Sequence, residues 1–205
     1  MERAAQDKPI DDIYGSHRPR MERMLRSLVE RIEALRGPMR EETGFDPIEH
    51  ILYRIKSDES MRDKLQRKGL PQTAEAALTQ VNDAMGVRVV CGFLSDVYAM
   101  RDHLRADPEL EVLEERDYIL NAKPNGYRSL HMIVRSKEGY QAEVQLRTIS
   151  MDTWAALEHH LQYKKQPVRN QRLIVGELKR CADELASTDV SMQTLRDAIL
   201  GERDV

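Results

Sequence analysis

Apolar positions along the chain change period twice. Met21, Met24, Leu25, Leu28, Val29, Ile32 and Leu35 recur at three- to four-residue spacing, which predicts a helix with one buried face. Gly37-Pro38 reads as the end of that run. A second helix is expected after Ser57, whose hydroxyl can cap it, and is expected to stop at Gly69 before Pro71. A third is placed over residues 74–83. In the middle of the chain the period shortens. Residues 87–94 are rich in β-formers and bounded by Gly86 and Ser95-Asp96, which predicts a strand. Residues 96–106 return to helix, with Val97, Tyr98, Met100, Arg101 and Leu104 as the candidate buried stripe, and 110–113 is a short strand candidate. Residues 129–135 and 140–148 flank Lys137-Glu138-Gly139 and predict a hairpin. From Ile149 onward the pattern is helical again. Met151, Trp154, Leu157 and Leu161 form one stripe; Leu173, Ile174, Leu178, Cys181 and Leu185 form another. Helices around a central strand cluster indicate an α/β or α+β core with helical arms.

Composition narrows the functional classes. The 205 residues suffice for one well-buried core rather than two full domains. With 32 basic and 35 acidic side chains the formal charge is −3, so the chain is no bulk polycation and any phosphate-binding surface must be local. No stretch approaches the ~20 apolar residues a membrane-spanning helix needs. The start, MERAAQDK, lacks an apolar signal core, and a cytoplasmic location is expected. Two cysteines, Cys91 and Cys181, make no disulfide scaffold.

The richest chemistry lies in the hairpin. Alternation along QAEVQLRT puts Gln141, Glu143, Gln145 and Arg147 on one face and Tyr140, Ala142, Val144 and Leu146 on the other. In the preceding strand Ser129, His131, Ile133 and Arg135 alternate against Leu130, Met132 and Val134. If the two polar faces coincide they form a floor for a ligand; otherwise each is an ordinary half-exposed strand. Asp83 stands just before the strand GVRVVCGF. One carboxylate there and a second from another strand suit Mg²⁺, which takes one or two protein carboxylates and completes its shell with water and phosphate oxygens. A cap or a surface acid is the plainer reading of each.

Six cations, Arg54, Lys56, Arg62, Lys64, Arg67 and Lys68, crowd one short segment. Ser60 and Lys64 share a helix face, and with the helix N-terminal N–H groups they could hold a polyphosphate. A solvated helix face or nonspecific nucleic-acid contact are the alternatives. In the loop KPNGYRS, Asn125-Gly126 makes a turn and Tyr127 leaves it, either exposed for stacking on a base with Lys123 nearby, or buried as an anchor. Glu158-His159-His160 lacks metal-ligand spacing, and no GxGxxG, GxxxxGK[ST] or GxSxG occurs.

In this order, the segments RIKSDESMRDKLQRKG (54–69), DAMGVRVVCGF (83–93), ERDYILNAKPNGYRSLH (115–131) and AEVQLRTISMDTWAALEHHLQYK (142–164) resemble the alarmone synthetases of the RelA/SpoT homologue superfamily, above all the small stand-alone ones. The resemblance implies a mixed-sheet, nucleotidyltransferase-like core. It implies one synthetase domain over 1–205, with an N-terminal helical arm (1–45), a catalytic core (46–165) and a C-terminal helical arm (166–205).

It also implies a reaction: pyrophosphate passes from ATP to the 3′-hydroxyl of GDP or GTP, AMP leaves, and ppGpp or pppGpp forms. Carried onto this chain, Arg54 and Arg88 sandwich the adenine, and Lys56, Ser60 and Lys64 hold the ATP phosphates. Asp83 and Glu143 are the catalytic acids and bind Mg²⁺, with Glu143 also a candidate base. Tyr127 stacks on guanine, while Lys123, His131, Gln145 and, more weakly, Arg116 contact the acceptor. A homotetramer through the terminal helices is expected, with allosteric (p)ppGpp and single-stranded RNA as further partners. One position and one short stretch depart from the family pattern: Asp152 stands where an Asn is usual, and Glu114-Glu115-Arg116-Asp117 matches neither familiar charge pattern. A pyrophosphokinase acting on the tRNA 3′ end and a non-catalytic binder of RNA or alarmone are the competing readings.

Overall fold

The hairpin around Lys137-Glu138-Gly139 is the centre from which the sheet is built. In the computed structural model, which describes residues 12–162 and 171–201, β4 (Leu130–Ser136) and β5 (Gln141–Thr148) pair antiparallel, and Gly139 turns the chain at φ +87°. On its other side β5 pairs parallel with β2 (Met85–Cys91). Antiparallel strands close both edges: β1 (Ile48–Ile55) beside β2 and β3 (Leu110–Asp117) beside β4. The order β1-β2-β5-β4-β3 is thus a mixed five-stranded sheet with helices, as the α/β (α+β) expectation held.

One sheet face is apolar. Val87, Val89, Leu130, Met132, Val134, Ala142, Val144 and Leu146 are buried there with Met21, Leu25, Leu28 and Ile32 of α1 (Arg18–Ala34) and Val97, Met100 and Leu104 of α5 (Leu94–Ala106). Removing this much apolar surface from water is the main stabilising term of the fold. α3 (Asp58–Arg67) adds Met61 and Leu65, and α4 (Ala74–Thr79) adds Ala76 and Ala77. α6 (Ile149–Gln162) follows β5 directly and folds back against α7 (Gln171–Gly201). No described helix is long and apolar enough to cross a membrane.

Several expected boundaries shift for identifiable reasons. Gly37-Pro38 does not end the helical run: α2 (Arg36–Thr43) begins at once, and Pro38 sits in its first turn, where its missing N–H is needed by no partner. The stop comes at Gly44, left-handed at φ +71°, whose N–H reaches Arg40 O at 2.7 Å. α4 ends at Thr79 rather than at residue 83, and β3 runs to Asp117 rather than stopping at 113. No hydrophobic period in the sequence predicts β1. Its buried anchor Ile48 is followed by exposed Glu49, His50, Leu52, Tyr53 and Arg54, the pattern of an edge strand without alternation.

The late stripes are only half buried. Met151 and Trp154 are inside, but Leu157 and Leu161 are 58% and 61% exposed. On α7 the inward face is Ala182, Asp189 and Arg196, while Leu173 is 63% exposed and Ile174 and Cys181 also face outward. Residues 1–11, 163–170 and 202–205, which include the end of the expected core and parts of both arms, lie outside the described residues, as do Tyr163 and Lys164 of the fourth family-like segment.

Candidate active site

Cross-strand register brings the polar faces together. Arg88, Gln145, His131 and Arg116 stand opposite one another across β2, β5, β4 and β3. The next row is Arg54, Gly86, Glu143, Ile133 and Glu114. Residues directly opposite share a face, so the two strands of the hairpin do form a common floor, opposite the apolar core.

Asp83 reaches that floor from the α4–β2 connection. The shortened α4 leaves a turn there, with Asp83 at the mouth of β2. Its Oδ2 accepts from Lys64 Nζ at 2.7 Å and from Lys56 Nζ at 3.1 Å. Its Oδ1 is buried and has no hydrogen-bond partner. Burial alone would favour the neutral acid, but the two ammonium groups outweigh it and hold the carboxyl below its ordinary range. Lys56 is the first residue past β1, and Lys64 projects from α3 with its side chain half-buried. The cap expected of Ser57 is present: its Oγ accepts from Ser60 N at 3.3 Å, and its hydroxyl contacts Ser60 Oγ at 2.9 Å. That bond uses one helix N–H, and Asp58 and Glu59 place two acids in the first turn. The helix terminus is therefore a poor anion cradle, and the positive charge comes from the lysines.

Glu143 is held by its neighbours on the floor. His131 Nδ1 lies 3.0 Å from Oε1, and Gln145 Nε2 donates to Oε2 at 2.8 Å. Burial pushes its pKa upward, yet His131 and Gln145 prevail and it lies below the usual glutamate range. Glu143 is therefore an anion, able to hold a cation or to take a proton.

Two clefts flank this pair. One, of about 240 Å³, is lined by Arg54, Lys56, Arg88 and Gln145 together with Asp83 and Glu143. The other, of about 190 Å³, is lined by Lys64, Lys68, Arg116 and His131, again with Asp83 and Glu143. Two binding spaces thus meet at the two carboxylates.

Tyr127 is neither freely exposed nor a buried anchor. Its ring is half-buried and edge-on to Tyr118, His131 and Trp154, with centroids 6.2, 5.8 and 6.4 Å away. The Lys123 ammonium sits over the rings of both Tyr118 and Tyr127, at 4.5 and 4.7 Å. The Tyr127 hydroxyl is 2.8 Å from His131 Nε2, so a hydrogen-bonded path runs from Tyr127 through His131 to Glu143. Tyr127 itself lines neither cleft.

Arg147 is the residue whose role sequence reading missed. It is 4% exposed, and its guanidinium reaches Tyr127 Oη (2.8 Å), Gln145 Oε1 (2.9 Å) and Asp152 Oδ1 (3.0 Å). The signal was its place on the polar face of QAEVQLRT; nothing in the pattern said that it is buried. Asp152 also takes Arg88 Nη1 at 3.3 Å on the same oxygen. Burial, and then the nearby Arg147, press the Arg88 pKa downward. Arg116 lines the second cleft but remains exposed and pairs with Glu114 at 2.5 Å. Ser60 is exposed and belongs to the cap rather than to either cleft.

Residues 53–168 match the family described as "Region found in RelA / SpoT proteins". The chain is 39% identical over 164 residues to GTP pyrophosphokinase YwaC of Bacillus subtilis, covering 76% of this chain and 77% of the relative. Small alarmone synthetase 2 from Bacillus subtilis superposes with a TM-score of 0.75 at 34% identity, over 87% of this chain and 96% of that one. Small alarmone synthetase 1 from the same organism, bound to its product pppGpp, gives 0.75 at 28% identity over 87% and 94%. Its form bound to AMPCPP gives 0.69 at 25% identity over 87% and 93%. With the family match spanning more than half of the sequence and a relative this similar across three-quarters of it, the chain belongs to the RelA/SpoT family.

Proposed function

We propose that this chain is a (p)ppGpp synthetase, which moves pyrophosphate from ATP to the 3′-hydroxyl of GDP or GTP and releases AMP. The observation that carries this reading is the pair of clefts meeting at Asp83 and Glu143. A transfer between two nucleotides needs both bound, with the reacting atoms between them. The names of the relatives and the nucleotides bound to small alarmone synthetase 1 support the same chemistry.

In this reading the cleft with Arg54 and Arg88 takes the adenine between planar guanidinium groups, and Lys56 within it takes the phosphates together with Lys64, which lines the neighbouring cleft and reaches the junction at Asp83. The His131 cleft takes the acceptor with Arg116 on its wall and Gln145 bordering it from the neighbouring cleft, and Tyr127 and Lys123 support the guanine from beside it. The 3′-hydroxyl gives up its proton, with Glu143 the candidate acceptor, and its oxygen forms a bond to the β-phosphorus as the bond from that phosphorus to the α-phosphate oxygen breaks. Lys56 and Lys64 stabilise the negative charge spread over the transferring group. Asp83 and Glu143 would hold Mg²⁺: the partnerless, buried Asp83 Oδ1 and the ionised Glu143 are the hard oxygen donors it prefers. When bound, the ion neutralises phosphate charge and orients the oxygens. Among the described residues no cluster of three or more His, Cys, Asp and Glu side chains forms a denser metal site, in keeping with an ion completed by substrate phosphates. A homotetramer is part of the proposal, supported by exposed Leu157, Leu161, Leu173, Val190, Leu195 and Ile199 on α6 and α7.

The test uses ATP labelled at its β- and γ-phosphates, Mg²⁺, and GDP or GTP. The label should appear in a guanosine nucleotide pyrophosphorylated at the 3′ position. Label entering tRNA instead would favour the RNA acceptor, and no transfer at all would favour a binding protein.

A further inference from the structure

Loop 123–128, which presents Tyr127, is shaped by itself but located by something else. Its own bonds, Gly126 N to Lys123 O (2.8 Å), Lys123 N to Tyr127 O (3.1 Å) and Tyr127 N to Asn125 Oδ1 (3.2 Å), fix a local turn. They do not say where that turn sits. Its location is set by the two C-terminal helices. Gly126 has φ +93°, and a Cβ built on it would lie 2.6 Å from Ala182 Cβ and 3.1 Å from Lys179 Cα. The loop backbone therefore rests on α7 at a point where only hydrogen fits. Next to this contact, Arg128 Nη2 donates to Asp183 Oδ1 at 2.8 Å. On α6, Glu158 Oε1 accepts from Asn125 Nδ2 at 3.3 Å.

α7 is itself tied down along its length. Trp154 Nε1 donates to Leu178 O at 2.8 Å, Thr148 Oγ1 donates to Asp189 Oδ2 at 2.6 Å, and Arg196 Nη1 donates to Asp96 Oδ1 at 2.7 Å. The anchors reach α6, the end of β5 and the start of α5, so the helix bears on the loop as a fixed strut.

We infer that α7 positions the acceptor site, with Ala182 and Asp183 setting where Tyr127 is presented to the acceptor nucleotide. The inference rests on the synthetase reading and deepens it. Side-chain volume at position 182 pushes on Gly126. Tyr127 follows it in the chain, and its hydroxyl is 2.8 Å from His131, which in turn holds Glu143. Displacement by about an ångström there is enough to weaken acceptor binding strongly. The ATP side, built from β1, β2 and α3, lies further along, reached from Tyr127 through Arg147 and Asp152 to Arg88 and through His131 to Glu143.

The experiment is steady-state kinetics on full-length Ala182→Val and Asp183→Asn, varying ATP and acceptor separately, with far-UV circular dichroism and thermal midpoints as the check on folding. The acceptor KM should rise about 5- to 50-fold in Ala182→Val and several-fold in Asp183→Asn, with the KM for ATP within twofold of the parent. Emission of Trp154, the single tryptophan, should respond to GDP at correspondingly higher concentrations. A parent-like acceptor KM in folded variants, or KM values for ATP and acceptor rising together, overturns the strut. If Ala182→Val fails to fold, Asp183→Asn, whose side chain is 43% exposed, decides alone. A parent protein without turnover overturns the synthetase reading and the strut with it. Parent turnover with unmoved acceptor KM overturns the strut only.

Discussion

Lys64 holds Asp83 with its ammonium 2.7 Å from Oδ2, and Lys56 shares that same oxygen at 3.1 Å. Two cations on one carboxylate oxygen are more positive charge than the acid needs. The surplus faces the clefts, where a triphosphate would accept it. Replacing Lys64 by Met removes this charge while keeping much of the side chain's length and apolar bulk. The KM for ATP should rise about tenfold or more, and turnover should fall as transition-state charge loses a partner. Initial rates over a range of ATP concentrations check this; an unchanged KM for ATP would remove Lys64 from the donor site.

Asp152 sits between two guanidinium groups, Arg88 and Arg147. Asp152→Ala leaves both cations in a partly buried space without their shared counterion. Chemical denaturation should show a loss of about 1–3 kcal/mol, with Asp152→Asn losing less because it still accepts a hydrogen bond. The Arg147 fork also orients the Tyr127 hydroxyl, so the acceptor KM should rise in Asp152→Ala. Equal stability in parent and Asp152→Ala would mean that the cluster is not held by this carboxylate.

Arg196 is bound deep in the fold. Its side chain and that of Asp96 are 1% and 2% exposed, and the guanidinium lies 4.6 Å from the Phe93 ring centroid and 5.3 Å from that of Phe45. Arg196→Ala strands a buried acid and should cost about 3–5 kcal/mol. Thermal melts would show it as a clear fall in midpoint, and a fall of under a degree would contradict the anchoring of α7.

Much of this architecture is legible in the residues. The α1 stripe, the Ser57 cap, the central strand and the hairpin all follow from local periods and turn chemistry, because each buries one clean face. β1 does not, because an edge strand with Leu52 and Tyr53 exposed has no alternation to read. The stripes of α6 and α7 mark amphipathic helices, but period alone does not say what covers them, and Leu157, Leu161 and Leu173 face outward. At the site, residue types were readable and register was not. Alternation put Glu143 and Gln145 on one face, and only the pairing of Gln145 with both Arg88 and His131 shows the floor as continuous. Arg147 reads in the sequence as any polar strand residue, and only the fold buries it.

Alkaline pH should destabilise the protein through two tyrosines. Burial, with Asp117 accepting the hydroxyl proton's hydrogen bond, pushes Tyr98 up to about 12 from an ordinary 10.0, and burial raises Tyr14 further. Both bind their protons more tightly folded than unfolded. Their stabilising contribution is therefore complete below pH 10 and is lost as pH rises toward 12. Thermal midpoints should fall across that window, and the fall should be shallower in Tyr98→Phe. A flat profile would contradict the burial of these hydroxyls.

The two carboxylates at the junction of the clefts are the centre of the account, and one comparison tests them most directly. AMP release and 3′-pyrophosphorylated guanosine nucleotide are counted together for the parent, Asp83→Asn and Glu143→Gln, with Mg²⁺, ATP and GDP. The parent should yield the two products in equal amounts, and each variant should lose about 10²- to 10³-fold or more while keeping its circular dichroism spectrum. Synthesis that survives in either folded variant at near-parent rates would contradict the account.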